Sequence, residues 1–137
     1  MRVTPEGQRV WTRRFTAWAM HVATTGERIV MSGTYSNTLD IDDDGVAERP
    51  SDDDDFQEGF AAVLDQNGEL LQVLTVVGDH RDIVNAAGFA PDGGTLYLTG
   101  HTSLGADFDG DGEVEAASVC HTAGEVYLAT FSLEDGG

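Results

Sequence analysis

The sequence predicts an all-β fold made of two copies of one structural unit, and three observations support this prediction. An acidic motif of the form D-x-D-x-D-G-x-x-E occurs at residues 40–48 and again at residues 107–115, an offset of 107 − 40 = 67 residues. The sequence around the first motif matches the sequence around the second at the same offset, without a gap. Strand-forming segments and turn residues alternate within each copy.

The 67-residue repeat is supported both by identity and by chemical class. Between residues 24–48 and 91–115, 8 of the 25 aligned pairs are identical. Average amino-acid usage would give roughly two. Where identity ends, apolar character is kept, as in Ile29 with Leu96. Tandem repeats are typical of modules that bury their apolar faces against neighbouring copies.

Each copy has the same order of predicted strands, separated by residues that favour tight turns. The pairs Asn67-Gly68 and Gly93-Gly94 mark two of these turns, because asparagine and glycine adopt the backbone conformations that chain reversals require. The strands are predicted at residues 16–23, 28–34, 59–65 and 69–77 in the first copy and at residues 83–90, 95–101 and 125–132 in the second.

The second copy shows no fourth strand within residues 83–137, whereas residues 7–15 have the form of one. Four antiparallel strands per unit, in a ring closed by strands from opposite ends of the chain, are typical of β-propellers. We therefore expect residues 1–15 to hold an N-terminal strand that completes another blade. Residues 16–82 are predicted to form the first blade, and residues 83–137 the second blade without its last strand.

The order of these segments resembles the bacterial seven-bladed β-propeller (SBBP) repeat. Residues 93–103 resemble its central strand and glycine, residues 60–71 its next hairpin, and residues 78–82 its turn into the following blade. The resemblance implies two four-stranded, antiparallel, propeller-like blades. As large apolar side chains, Trp11 and Trp18 are expected to fill the space between the sheets.

The acidic motifs have the donor spacing of a calcium-binding loop. Carboxylates at every second residue, with a glycine where the chain bends sharply, let one loop surround a hard cation. The motifs are also similar to the calcium loops of integrin-type propeller blades, and this resemblance implies one Ca²⁺ ion in each loop. The predicted ligands, with a backbone carbonyl at the seventh position, are Asp40, Asp42, Asp44, Val46 and Glu48 in the first loop and Asp107, Asp109, Asp111, Glu113 and Glu115 in the second.

Two alternatives compete with a calcium loop of this kind. An aspartate-rich loop in an acidic chain can be a solvated surface turn, although two aligned copies weaken this interpretation. An EF-hand needs a bidentate Glu at the twelfth loop position, where this chain has Ser51 and Ser118. It also needs flanking helices, and residues 56–71 do carry apolar residues at helical spacing. Because their copy at residues 125–131 is typical of a strand, we expect strands after both loops.

Composition excludes several classes of partner. The chain has 25 acidic and 7 basic residues, a formal net charge of −18, so we expect no basic surface for nucleic acid or anionic membranes. No segment has the length and apolarity of a membrane-spanning helix. The single Cys120 excludes an internal disulfide. Cys120 with His121 lacks companion ligands, and the charged residues 79–82 fall on a predicted turn between blades, so no residue is predicted to be catalytic.

These observations predict a non-catalytic binding or adhesion scaffold that holds two Ca²⁺ ions, because both sites repeat and no unique catalytic constellation accompanies them. Its ligand would be a protein or a carbohydrate. The alternative is a fragment of a propeller enzyme, a lyase or hydrolase acting on an acidic carbohydrate with help from calcium. Two blades cannot close a ring, so we expect three or four copies arranged head to tail, or the remainder of a longer parent chain. Although no signal peptide is evident, we expect the parent protein to lie outside the cell or at its surface.

Overall fold

The computed structural model describes residues 1–50, 57–78, 81–102, 105–108, 111–115 and 125–133. Within these residues every regular element is a β-strand, so the prediction of an all-β fold is confirmed. The same part of the chain contains no helix that is long and apolar enough to cross a membrane. The strands are, in chain order, β1 (Arg2–Val3), β2 (Arg9–Trp11), β3 (Trp18–Thr24), β4 (Arg28–Tyr35), β5 (Thr38–Leu39), β6 (Arg49–Pro50), β7 (Glu58–Asp65), β8 (Leu70–Val76), β9 (Ile83–Phe89), β10 (Thr95–Thr102) and β11 (Glu125–Ser132).

The first copy of the repeat forms a four-stranded antiparallel sheet in the order β3-β4-β7-β8. All four strands lie within residues 16–82, close to their predicted bounds. The turn between β7 and β8 forms because the Asp65 carboxylate accepts hydrogen bonds from the backbone N–H groups of Asn67 (2.7 Å) and Glu69 (2.9 Å). Gly68 supplies the left-handed conformation of this turn, with φ of 83°.

The second copy forms a three-stranded antiparallel sheet in the order β9-β10-β11. Its strands lie within residues 83–137, again close to the predicted bounds. Among the described residues no fourth strand pairs with β11, and no sheet closes into a ring. The antiparallel sheets are therefore observed, while a propeller arrangement of those sheets stays a prediction.

A crowded glycine occupies the same place in both sheets. A Cβ atom added to Gly33 would lie 1.9 Å from the carbonyl oxygen of Trp18, and one added to Gly100 would lie 1.8 Å from that of Ile83. Beside each glycine the pairing with the neighbouring edge strand shifts register. Only a residue without a side chain permits this approach. The repeat seen in the sequence therefore extends to the backbone geometry.

The N-terminal segment forms a small sheet of its own, and its expected part in another blade stays a prediction. β2 pairs with β1 in a separate two-stranded sheet and extends neither of the larger sheets. Two hydrogen bonds hold this segment against the first sheet: Trp11 donates its indole N–H to the Gln66 carbonyl (2.9 Å), and Arg13 donates its Nε–H to the Gly68 carbonyl (2.8 Å). Within this chain residues 1–15 therefore lie against the first sheet.

The two large sheets pack face to face through a continuous apolar cluster. β9 lies against β3, β4 and β7, and buried residues from both sheets form one cluster. Each fully buried Val or Leu side chain contributes about 1.5–3 kcal/mol to this packing. We name the four faces by their alternating residues: the inward face of the first sheet (Val30, Ser32, Ala61, Val63), its outward face (Met31, Phe60, Ala62, Leu64), the inward face of the second sheet (Leu96, Leu98, Gly100, Tyr127) and its outward face (Tyr97, Thr99, Val126, Leu128).

A second apolar cluster covers the outward face of the first sheet. The ring of Phe60 contacts those of Phe15 and Tyr35 edge to face, with 6.3 Å between ring centroids in each pair. Leu39 and Ile41, which flank the first aspartate of the first acidic loop, are buried in the same cluster. The first acidic loop is therefore attached to a hydrophobic core, although its carboxylates face away from it.

The two tryptophans have different environments. Trp11 is half-buried against the turn that contains Gly68. The prediction that Trp18 fills the space between sheets is wrong, because Trp18 is 58% exposed. It stands at the start of β3, which is an edge strand of the first sheet. A position at the sheet edge leaves its ring without an opposing sheet.

Candidate metal centres

The first acidic loop is closed by a short ribbon that the sequence did not indicate. β5 and β6 pair on either side of the loop, with Leu39 opposite Arg49. The backbone N–H of Glu48 also donates to the Leu39 carbonyl (2.9 Å). Leu39 and Ile41 alternate with Asp40 along the chain and are buried. Because successive side chains of an extended segment point to opposite sides, burying these two residues directs the intervening aspartate away from the core.

The structure brings four of the five predicted ligands of the first loop together through their side chains. One carboxylate oxygen from each of Asp40, Asp42, Asp44 and Glu48 lies within 4.8 Å of the others. At such separations each pair of carboxylates repels by roughly 1 to 4 kcal/mol, depending on the local dielectric. A divalent cation placed among them would attract all four carboxylates and make the net electrostatic energy of the cluster favourable.

The fifth predicted ligand of the first loop is a backbone carbonyl. Val46 occupies this seventh position, and its side chain is exposed. Its backbone N–H donates to Oδ1 of Asp44 (2.7 Å), so the chain at this position is held next to the carboxylate cluster. Gly45, directly before it, has φ of 87°, a conformation that favours glycine.

Backbone N–H groups hold the carboxylates of the first loop in place. Asp40 accepts from the N–H of Asp43 (2.8 Å) through Oδ1 and from that of Gly45 (2.9 Å) through Oδ2. Glu48 reaches back over the loop and accepts from the N–H of Ile41 (2.6 Å) through Oε2. These bonds give the loop its shape through the backbone. They also leave carboxylate lone pairs available to a cation, because each oxygen can accept more than one contact.

The second acidic loop repeats these hydrogen bonds at the same offset. Oδ2 of Asp107 accepts from the N–H of Gly112 (2.8 Å), Oδ1 of Asp111 from that of Glu113 (2.7 Å), and Oε2 of Glu115 from that of Phe108 (2.7 Å). The N–H of Glu115 donates to the Ala106 carbonyl (3.1 Å). Gly112 has φ of 88°, within one degree of its counterpart in the first loop.

Carboxylates of the second loop also converge. Oxygens from Asp107, Asp111 and Glu115 lie within 4.8 Å of one another. Asp109, the remaining predicted side-chain ligand, lies outside the described residues. The side chain of Glu113 is not part of the converging group, and its role as a carbonyl ligand at the seventh position stays a prediction. The buried Ala106 and the ring of Phe108, which packs on Tyr127 with centroids 4.9 Å apart, anchor this loop in the core between the sheets.

The loops differ in what surrounds them. Asp107 forms an antiparallel bridge with Val77, in which each backbone N–H donates to the other's carbonyl (3.1 and 2.8 Å). At the first loop the corresponding attachment is a side chain: Arg13 donates to the Asp42 carbonyl (3.3 Å) and forms an ion pair with Glu69 (3.0 Å). The sequence did not predict either attachment, because Val77 and Arg13 lie about 30 residues before the loop residues that they contact.

Comparison with family models, with curated proteins and with solved structures gives no match. The resemblance to the SBBP repeat therefore stays a prediction. What the structure adds is an all-β chain with two acidic clusters that could each hold a metal ion. Cys120 and His121, for which the sequence predicted no metal-binding or catalytic role, lie outside the described residues.

Proposed function

We propose that the chain is a calcium-stabilised β-repeat module that acts as a non-catalytic binding or adhesion scaffold and forms part of a larger propeller. The observation that carries this proposal is the recurrence of one loop at two places. In both loops the fifth-position carboxylate accepts from the seventh-position N–H, and the ninth-position Glu accepts from the second-position N–H. Two loops that keep the same donor arrangement support a shared ligand more strongly than one acidic turn would.

The donor chemistry favours Ca²⁺ over other common ions. All predicted donors are oxygens, which hard cations prefer, and neither loop has a Cys or His among the converging groups. Calcium accepts six to eight oxygens in irregular arrangements, whereas Mg²⁺ demands an almost ideal octahedron. A nine-residue loop with carboxylates at the first, third, fifth and ninth positions suits the more tolerant ion.

Calcium would act here on stability. An ion taken up only by the folded chain stabilises that chain by mass action. Because Ile41 and Phe108 are anchored in the apolar clusters, ordering each loop also orders part of a core. Loops of this kind in extracellular modules bind with dissociation constants on the order of 10⁻⁴ to 10⁻³ M, and we expect affinities in this range. Such affinities are useful outside the cell, where the ligand of the scaffold would be a protein or a carbohydrate.

The first loop offers a matched pair of substitutions to test the metal proposal. Asp42 belongs to the converging carboxylates, whereas Asp43 does not, although both lie in the same loop. Asp42→Asn and Asp43→Asn change the net charge equally. We expect Asp42→Asn to weaken calcium binding at one of two sites by at least about tenfold, since a charged ligand is lost. Asp43→Asn keeps both sites, because asparagine also tolerates its φ of 61°.

Calorimetric titration with Ca²⁺ and with Mg²⁺ provides the measurement. Two calcium sites in the unmodified chain and in Asp43→Asn, with one site lost in Asp42→Asn, would support the proposal. Equal titrations for the two variants, or no heat of binding in any of them, would overturn the metal site. A preference for Mg²⁺ would overturn the identity of the ion.

A further inference from the structure

The outward face of the second sheet is an apolar surface on which no other sheet packs among the described residues. Val126 and Leu128 are 74% and 73% exposed, and Tyr97 lies beside them on β10. Thr99 pairs with Leu128 on the same face, and none of these residues is charged. In a chain with a formal charge of −18, an uncharged face with three large apolar side chains is typical of an interaction site.

The repeat itself shows what covers a face of this kind. Shifting Tyr97 back by 67 residues gives Val30, and shifting Leu128 back gives Ala61. Both are fully buried on the inward face of the first sheet, where the second sheet packs on them. The equivalent face of the second sheet therefore suits another sheet of the same type.

We propose that the outward face of the second sheet binds the outward face of the first sheet in a second copy of this chain, head to tail. The acceptor face is the repeat equivalent of the inward face of the second sheet, because Met31 corresponds to Leu98 and Phe60 to Tyr127. The contact between two copies thus repeats the contact that already joins the two sheets within one chain. This proposal extends the repeat-scaffold part of the proposed function and does not depend on its metal.

Within one chain most of the acceptor face is covered, since Phe60, Ala62 and Leu64 are at most 2% exposed, but its edge is open. Val22, on its edge strand, is 62% exposed. Between the N-terminal segment and this face lies a cavity of about 310 Å³, lined by Val22, Ile29, Met31 and Leu64 on one side and by Trp11 and Phe15 on the other. An incoming sheet would take the place of residues 1–15 along this face.

Charge favours a head-to-tail contact over a contact between two identical faces. Residues 1–15 carry four Arg and one Glu, a formal charge of 4 − 1 = +3. Residues 83–137 carry nine acidic residues and no Arg or Lys, a formal charge of −9. A head-to-tail contact brings the basic end of one copy to the acidic half of the next, whereas an isologous contact through the second sheets would join two acidic halves.

Two exposed positions allow the proposal to be tested with the full chain. Leu128→Arg blocks the outward face of the second sheet, and Val22→Arg blocks the acceptor face. Sedimentation velocity at about 5 mM Ca²⁺, over concentrations from about 10 μM to 1 mM, suits an interface of modest size. We expect the unmodified chain to associate as concentration rises and each variant alone to stay monomeric. An equimolar mixture of the two variants should form a discrete 1:1 dimer, since it keeps one intact pair of faces.

Other results would overturn the proposal. A Val22→Arg variant that still associates, with a mixture that forms no new species, would show an isologous contact through the second sheets. A monomeric unmodified chain at every concentration would show that no second copy binds. Pro91→Arg, at an exposed position in the turn between β9 and β10 and outside both faces, is the control and should associate like the unmodified chain. Calcium titration of the same samples separates this result from the fate of the metal sites.

Discussion

The two acidic loops have the same internal hydrogen bonds but are attached to the rest of the chain differently. Asp107 is bridged to Val77 through the backbone, whereas Asp42 is held through the side chain of Arg13. The conformation of each loop follows from its own nine residues, since the bonds within it are local. Its attachment depends on the segment that precedes the copy, and that segment differs between the two. The hydrogen bonds within the loops are therefore the same in both copies, while the contacts that join each loop to the rest of the chain differ.

The largest expected effect concerns the crowded glycines, where the two sheets are alike. Gly33→Ala and Gly100→Ala should each destabilise the chain by about 3 kcal/mol, because the new methyl group would meet a backbone carbonyl that cannot move aside. Urea unfolding measures both. Gly88→Ala is the control, since a Cβ there has open space. If only one of the two substitutions lowers the free energy of unfolding, the two copies are not structurally equivalent at this glycine.

The next effect concerns the metal-dependent part of stability. Asp40→Ala and Asp107→Ala each remove the first ligand of one loop. With Ca²⁺ at 10 to 100 times the dissociation constant, each loop is expected to supply about 1.4–2.7 kcal/mol. Each variant should therefore lose about half of the calcium-induced rise in melting temperature, and the double variant all of it. A rise that survives in the double variant would show that the ion binds elsewhere.

Tyr127 differs from its counterpart Phe60 by one hydroxyl, which donates to the Ile83 carbonyl (3.0 Å). Tyr127→Phe should cost about 1 kcal/mol at neutral pH. Burial, together with the nearby Asp82 carboxylate, raises the pKa of Tyr127 above its ordinary value of 10.0. Its neutral form is therefore favoured in the folded chain, and this stabilisation is lost as pH rises above 10, where the unfolded chain ionises first.

Urea unfolding at neutral pH and at about pH 11, above the ordinary tyrosine pKa, tests this difference between the sheets. The unmodified chain should lose more stability between the two conditions than Tyr127→Phe does. Tyr97→Phe, at an exposed position, serves as the control and should follow the unmodified chain. If all three proteins lose the same free energy of unfolding between neutral pH and about pH 11, ionisation of Tyr127 is not the cause of that loss.

The smallest effect concerns the attachment of the first loop. Arg13→Gln should cost about 1 kcal/mol, because the ion pair with Glu69 is largely exposed and contributes little beyond the hydrogen bonds. It should also weaken calcium binding at the first loop while leaving the second unchanged. Arg9→Gln changes the charge equally, and Arg9 lies on the exposed β2 strand. Loss of positive charge alone would strengthen calcium binding, so a strengthening in both Arg13→Gln and Arg9→Gln would show an effect of charge and not of attachment.

The elements written as local patterns could be predicted from the sequence. The repeat, the seven strands of the two large sheets and the convergence of the loop carboxylates all follow from spacing within short segments. The alternation of Leu39 and Ile41 with the aspartates was a readable signal for the buried anchors as well. The two-stranded sheet at Arg2–Val3 and Arg9–Trp11 and the exposure of Trp18 could not be predicted, because they depend on contacts between distant segments.

The anchors of the two loops end in different places. Ile41 enters the cluster beneath Phe15 and Phe60, and Phe108 enters the seam between the sheets beside Tyr127. If the proposed sites hold calcium, loss of the ion from the first loop would loosen the N-terminal segment that covers the first sheet, and loss from the second would loosen the packing between the two large sheets. The two proposed ions would then act on different parts of the molecule, one on the cover of the first sheet and one on the contact between the sheets.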